Sequence, residues 1–145
     1  EPISGIQDNK IIYFPKSTPI FIATDPDLLK IILRNLIDNA NKYTLNGVIK
    51  ISCNINLTTQ QATVTIQDSG QGLPDYVLTL MEEDNSQEFF TPSINANHKM
   101  GIQITKEFIH QINGSLNVST SKENGTIFNI HLPLYSTITE KDDIN

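Results

Sequence analysis

Residues 25–44 read DPDLLKIILRNLIDNANKYT, and the periodicity of this stretch decides the fold class. Leu28, Leu29, Ile32, Leu33, Leu36, Ile37 and Ala40 recur at i, i+4 and i+8, the spacing of one face of an α-helix. Thr24 or Asp25 suits the N-cap, because a short polar side chain can accept from the free amides of the first turn. Pro26 suits the first helical position, where a missing N–H loses no bond. Asn46-Gly47 ends the element with a turn. The pattern predicts an amphipathic helix of about four turns.

On either side of it the period changes. Ile11–Phe14 and Ile20–Ala23 are short apolar runs separated by Pro15 to Pro19, read as two brief strands. Val48–Ile55 and Ala62–Ile66 alternate apolar and polar residues around the polar stretch Asn56–Gln61, which predicts a β-hairpin. Asp75–Met81 reads as a short helix. Gly101–Ile112 carries Ile102, Ile104, Phe108, Ile109 and Ile112, a second long helix ending at Asn113-Gly114. Ser115–Thr120 and Thr126–Leu132 are two further strands around the turn Glu123-Asn124-Gly125. Helices and mostly antiparallel strands in mixed order predict an α+β two-layer sandwich, a mixed and mostly antiparallel sheet packed on helices.

The chain has 145 residues, enough for one domain with a sizeable core. Its formal charge of −6 argues against a general nucleic-acid binder, which would have to approach a polyanion. A single phosphate ligand is still compatible if amides, a cation or a metal are supplied locally. Cys53 is the sole cysteine, so no internal disulfide framework or cysteine zinc site is expected. It falls in an apolar alternation and reads as a core or sheet residue. No apolar run approaches the roughly 20 residues of a membrane span. Glu1–Asp8 have no initiating Met, which points to a piece of a longer chain.

Three constellations carry the candidate chemistry, two of them polar and one aromatic. Asn35 and Asn39 are i and i+4 on the first helix, with Lys42 three residues on, so they share one edge. That edge is either a solvated face or a ligand edge, with Asn carbonyls on a divalent cation and its water and Lys on phosphate. Asp68-Ser69-Gly70-Gln71-Gly72 follows a strand directly; glycines two apart allow a tight turn and close approach to a ligand. The aspartate could accept from an exocyclic amine, and an ordinary Gly-rich turn is the other reading. Phe89-Phe90 lies in a long polar loop, as a lid anchor or a satellite core contact. His98, His110 and His131 show no metal or nucleophile spacing and read as surface or sheet residues. There is no GxxxxGK[ST] loop and no GxSxG elbow.

In order, these pieces resemble the ATP-binding catalytic domain of bacterial sensor histidine kinases. DPDLLKIILRNLIDNANKYT is similar to the N box, DSGQGLP to the G1 box, EFF to the F box, and MGIQITKEFIHQINGSLNV to the end of the G2 box. NGTIFNIHLPL resembles the closing Gly-Thr turn and last strand. The resemblance covers about Asp25 to Leu134. It implies the Bergerat α/β sandwich, shared with type II topoisomerases, MutL-type repair proteins and ninety-kilodalton heat-shock chaperones.

The resemblance implies ATP and Mg²⁺ as cofactors. Asn39 would ligate Mg²⁺, and Asn35 would stand where hydrolytic relatives carry a glutamate base. Asparagine cannot take a proton from water, so phosphate would be passed on rather than hydrolysed. Asn35 and Lys42 are the expected catalytic residues. Asn35, Asn39, Lys42, Tyr43, Asp68, Gly70, Gly72, Lys99, Gly101 and Thr126 are the expected nucleotide contacts, with Asp68 on the adenine amino group. The γ-phosphoryl group would go to a histidine on a separate dimerisation domain of the same parent, for relay to a response regulator. Residues 1–24 would be strands or linker from that domain, 25–135 the ATP-binding domain and 136–145 a polar tail. The chain alone would be a monomer without autophosphorylation. The parent would be an inner-membrane sensor with this part on the cytoplasmic side. One departure stands out: the G2 box commonly reads GxGLGL, and here Asn97 and Lys99 replace two glycines in NHKMGI. A degenerate nucleotide-binding or interaction module with an impaired lid, or a related serine kinase, is the alternative.

Overall fold

The computed structural model describes residues 9–14, 20–82 and 96–135. The element order is β1 (Lys10–Phe14), α1 (Pro26–Lys42), β2 (Val48–Asn56), β3 (Gln61–Asp68), α2 (Asp75–Glu82), α3 (Ala96–Gln111), β4 (Ser115–Ser121) and β5 (Gly125–Pro133). Phe89-Phe90 and the tail after Tyr135 lie outside the described residues.

Helix α1 starts as its sequence dictates. Asp25 is the N-cap, its Oδ1 accepting from the amides of Asp27 at 2.9 Å and Leu28 at 3.4 Å, with Pro26 opening the helix. Ile32, Leu36 and Ala40 form its buried stripe.

The strands form one sheet in the order β1-β2-β3-β5-β4. The β2–β3, β3–β5 and β4–β5 ladders are antiparallel, and β1 joins β2 in parallel. Alternation puts Ile49, Ala62, Val64, Ile66, Phe128, Ile130 and Leu132 on one buried face. There Ile32, Leu36 and Ala40 of α1, Val77 and Met81 of α2, and Ile102 and Ile109 of α3 close a single core. Cys53 packs against that core from β2. The opposite face is polar: His131 bridges Thr63 Oγ1 at 2.8 Å and Asn117 Oδ1 at 2.7 Å. The expected two-layer sandwich is therefore the observed one.

Two details differ from the sequence expectation. Ile20–Ala23 is not a strand; Ile22 makes one isolated bridge to Leu134. Pro133 has no N–H to donate, and the chain enters the Asp25 cap directly afterwards, so no ladder can grow. Helix α3 begins at Ala96, well before Gly101, because no proline or glycine interrupts Ala96–Met100. The strand expected at Ile11–Phe14 is present as β1 at the edge of the sheet, and Asn9 clamps it there. Asn9 Nδ2 donates to Asn41 Oδ1 at 2.7 Å and to the Thr44 carbonyl at 2.9 Å. Its Oδ1 accepts from the Gly47 amide at 2.9 Å.

Candidate functional site

Asp68 is the last residue of β3, paired with Ile49 on one side and Thr126 on the other. The pleat that buries Ile66 also turns Asp68 inward, and its side chain is 2% exposed. Oδ1 accepts from the Gly70 amide at 2.9 Å and the Thr126 amide at 3.2 Å. Oδ2 is buried with no hydrogen-bond partner. Burial holds the carboxyl above the usual carboxylate range, opposed by the Gly70 and Thr126 amides and by the nearby Thr44 hydroxyl. That hydroxyl lies near enough to favour the charge, but its Oγ1 makes no hydrogen bond of good geometry. A buried acceptor without a donor is unfavourable. A ligand N–H delivered to Oδ2 would remove that penalty.

The glycines after Asp68 are required by space and by backbone. A Cβ on Gly70 would run into the Tyr43 carbonyl and stand 2.7 Å from Thr44 Oγ1. Gly72 has φ +88°, a left-handed conformation that L side chains rarely adopt. Thr120 Oγ1 then accepts from the Leu73 amide at 2.8 Å and shares a proton with Thr126 Oγ1 at 2.9 Å. The loop is thereby tied to β4, β5 and the end of α1. Asp68, Gly70 and Thr126, expected at one site, are brought together here.

Lys42, Tyr43 and Gly72 meet at a second place. With Thr44, Leu73 and Lys122 they line an open cleft of about 460 Å³ beside the loop. Lys42 Nζ stands 5.6 Å from the centre of the Tyr43 ring, a cation–π distance. Burial, and a hydrogen bond that its own hydroxyl gives to Tyr76, keep the Tyr43 phenol protonated far above its ordinary range. Two lysines at one cleft suit an anion.

The asparagine edge of α1 faces helix α3. Asn35 Nδ2 donates to Thr105 Oγ1 at 2.9 Å, and Thr105 Oγ1 donates to the Gly101 carbonyl at 2.9 Å. Asn39 and Thr105 share the lining of a cavity of about 10 Å³ with Leu36, Met81, Ile102 and Lys106. Lys106 Nζ donates to the Leu80 carbonyl at 2.8 Å, tying α3 to the last turn of α2. Gly101 lies in the helix, and a Cβ there would meet nothing within 4 Å. Position 99 lies in the same helix, its side chain outside what the structure describes. The edge, the Gly-rich loop and the two-lysine cleft are all built around the C-terminal half of α1.

Sequence reasoning missed Thr44, Thr105, Thr120 and Tyr76. Each is an ordinary residue locally, and its partner comes from another element, so no local pattern marks it. The one sequence signal was position: Thr44 follows the asparagine helix directly, and Thr105 is a β-branched polar residue inside an apolar helical pattern.

Residues 24–136 match the family model of histidine kinase-, DNA gyrase B- and HSP90-like ATPases. The sensor histidine kinase TmoS of Ectopseudomonas mendocina is 30% identical over 134 residues, which are 90% of this chain and 14% of TmoS. The histidine kinase domain of the blue-light activated kinase of Erythrobacter litoralis superposes with a TM-score of 0.66 at 20% identity. That match covers 95% of this chain and 61% of the other. Full-length ShkA in complex with AMPPNP superposes with a TM-score of 0.71 at 20% identity, over 92% of this chain and 27% of ShkA. The chain thus spans well under half of the curated relatives it matches. It belongs to the histidine kinase-, DNA gyrase B- and HSP90-like ATPase family, as an ATP-binding domain of the histidine kinase kind.

Proposed function

We propose that this chain binds ATP with Mg²⁺ and positions the γ-phosphoryl group for a histidine on a partner dimerisation domain of its parent, for relay to a response regulator. The observation that carries the reading is the buried Asp68 carboxylate, whose Oδ2 has no donor. An adenine amino group would supply one, and guanine, with a carbonyl at that ring position, would not.

Around that anchor each residue has a task. Gly70 and Gly72 let the loop lie flat along the base, and the Thr126 amide holds Asp68 in place. Lys42, exposed at the cleft, offers charge to phosphate. Tyr43 lines the same cleft as an apolar wall. Asn39 would hold Mg²⁺ through its side-chain oxygen, a donor suited to a hard cation. Among the described residues no group of three or more His, Cys, Asp or Glu could cage an ion. Magnesium would therefore rest on phosphate oxygens plus Asn39, and it would offset phosphate charge. Asn35 cannot serve as a base, so water is not activated at this edge. In phosphoryl transfer, positioning and charge compensation do most of the work.

The relative ShkA was solved with AMPPNP, and the relatives are named as sensors. The parent is accordingly proposed as a membrane sensor with this domain on the cytoplasmic side, and the chain alone as a monomer. No described helix is long and apolar enough to cross a membrane.

One observation favours a second reading, a degenerate module. The stretch with Asn97 and Lys99 in place of glycines is helical from Ala96, which reduces the amides free to wrap phosphates. Calorimetric titration with AMPPNP, with and without Mg²⁺, separates the two. Micromolar to submillimolar binding that tightens with Mg²⁺ supports the kinase reading. No binding at millimolar nucleotide replaces it with the degenerate one.

A further inference from the structure

We infer that Thr105 is a positioning residue for Asn35, fixing which end of its side-chain amide is presented to the cation and phosphates of a bound nucleotide; this rests on the nucleotide-binding reading above.

The argument is a count of protons. Threonine has one hydroxyl hydrogen. Thr105 spends it on the Gly101 carbonyl one turn back, at 2.9 Å, so toward Asn35 its Oγ1 can only accept. Asn35 must therefore turn Nδ2 to Thr105, as it does at 2.9 Å. The flipped amide would set two oxygens against each other with no proton between them. Because the amide is planar and forked, Oδ1 is turned away from Thr105. Asn35 thus offers an oxygen, which suits a hard cation or a water bound to one. An amino group in its place could not coordinate.

Thr105 is 4% exposed and meets Asn35 through the 2.9 Å hydrogen bond. It shares with Asn39 the lining of the 10 Å³ cavity, room for about one water. The same relay couples the asparagine edge of α1 to the first half of α3. A shift of the Gly101 carbonyl would free the Thr105 proton and remove the restraint on Asn35.

The test uses AMPPNP titrations of the unsubstituted chain, Thr105→Val and Thr105→Ser, each with and without Mg²⁺. Valine keeps the shape and removes the acceptor. In Thr105→Val the gain in affinity from Mg²⁺ should fall about tenfold, the equivalent of one hydrogen bond. Mg²⁺-free binding should change less than about twofold on the same scale. Serine, which keeps the hydroxyl, should restore the Mg²⁺ gain. A merely structural role predicts equal losses with and without Mg²⁺, and that result overturns the inference. Failure of the unsubstituted chain to bind nucleotide overturns the functional reading and this inference with it; binding with an unaltered Mg²⁺ response in Thr105→Val overturns this inference alone. Should Thr105→Val not fold, the Asn35 Nδ2 protons of the unsubstituted chain are read by NMR. Downfield shifts with weak temperature dependence support the orientation, and solvent-like values overturn it.

Discussion

Asp68 and Thr126 are register partners on β3 and β5, and the Thr126 amide donates to Asp68 Oδ1 at 3.2 Å while Oδ2 has no donor. One carboxylate oxygen thus serves the fold and the other is left over. This division makes the residue separable by experiment.

Asp68→Asn keeps an oxygen for the Gly70 and Thr126 amides and removes the charge. Affinity for ATP should fall about 10- to 100-fold, the range for losing a hydrogen bond to a charged group. The melting temperature of the free protein should hold or rise, since an isolated buried charge is gone. The pH dependence follows from the raised carboxyl. Its folded value lies above its unfolded one, so stability is highest below the unfolded value and is lost as pH rises through the folded one. Nucleotide binding has the opposite slope, because the N–H donor favours the carboxylate and binding releases the proton. Thermal melts across the acid range, with and without AMPPNP, should show both slopes, and Asp68→Asn should abolish both. Parallel slopes in the two conditions would contradict the assignment.

Two glycines in the candidate site should behave oppositely. Gly70→Ala drives a methyl into the Tyr43 carbonyl, which cannot move without shifting the end of α1. It should cost about 1–3 kcal/mol, the usual range for overpacking. Gly101→Ala meets nothing within 4 Å and replaces a poor helix former in α3. It should stabilise the free protein by about 1 kcal/mol. Denaturant melts of both variants measure this. Destabilisation by Gly101→Ala would show that α3 does not run through position 101 in solution.

The helix and sheet core were legible because their periods are unambiguous. Leu36 and Ala40 share a stripe, and Ile49 and Ile66 alternate inward, whatever else the chain does. Asp68 was legible because it closes a strand just before two glycines. The start of α3 was not, because Ala96–Met100 carries no apolar period and the helix there rests only on the lack of a breaker. Thr105 and Asn9 were invisible for a different reason. Their meaning lies in partners that the sheet and helix packing bring near, Asn35 for one and Asn41 with Gly47 for the other.

The Asn9 clamp gives a third prediction. Its amide joins β1 to the end of α1 and to the Gly47 turn at once. Asn9→Ala leaves the Thr44 carbonyl and Gly47 amide without those partners. A loss of about 1–3 kcal/mol is expected, the cost of unpaired, partly buried polar groups. Nucleotide affinity, measured well below the melting temperature, should change little. If stability were unaltered, the segment before residue 24 would contribute nothing to the fold despite its pairing with β2.

Helix α3 poses the last question, because its first turns occupy the stretch where the related G2 box carries glycines. Each glycine in a helix interior costs about 1 kcal/mol relative to alanine. Restoring both, Asn97→Gly with Lys99→Gly, should therefore unwind the start of α3 back toward Gly101. Circular dichroism of the free protein should show less helix, and the freed amides should then be able to face phosphate. AMPPNP should bind several-fold more tightly in the double variant, as measured by the same calorimetry. Reduced helix with weaker binding would mean that the extended helix, and with it the charge at Lys99, is how this chain holds its nucleotide, and the glycine-poor sequence would then be an adaptation rather than a loss.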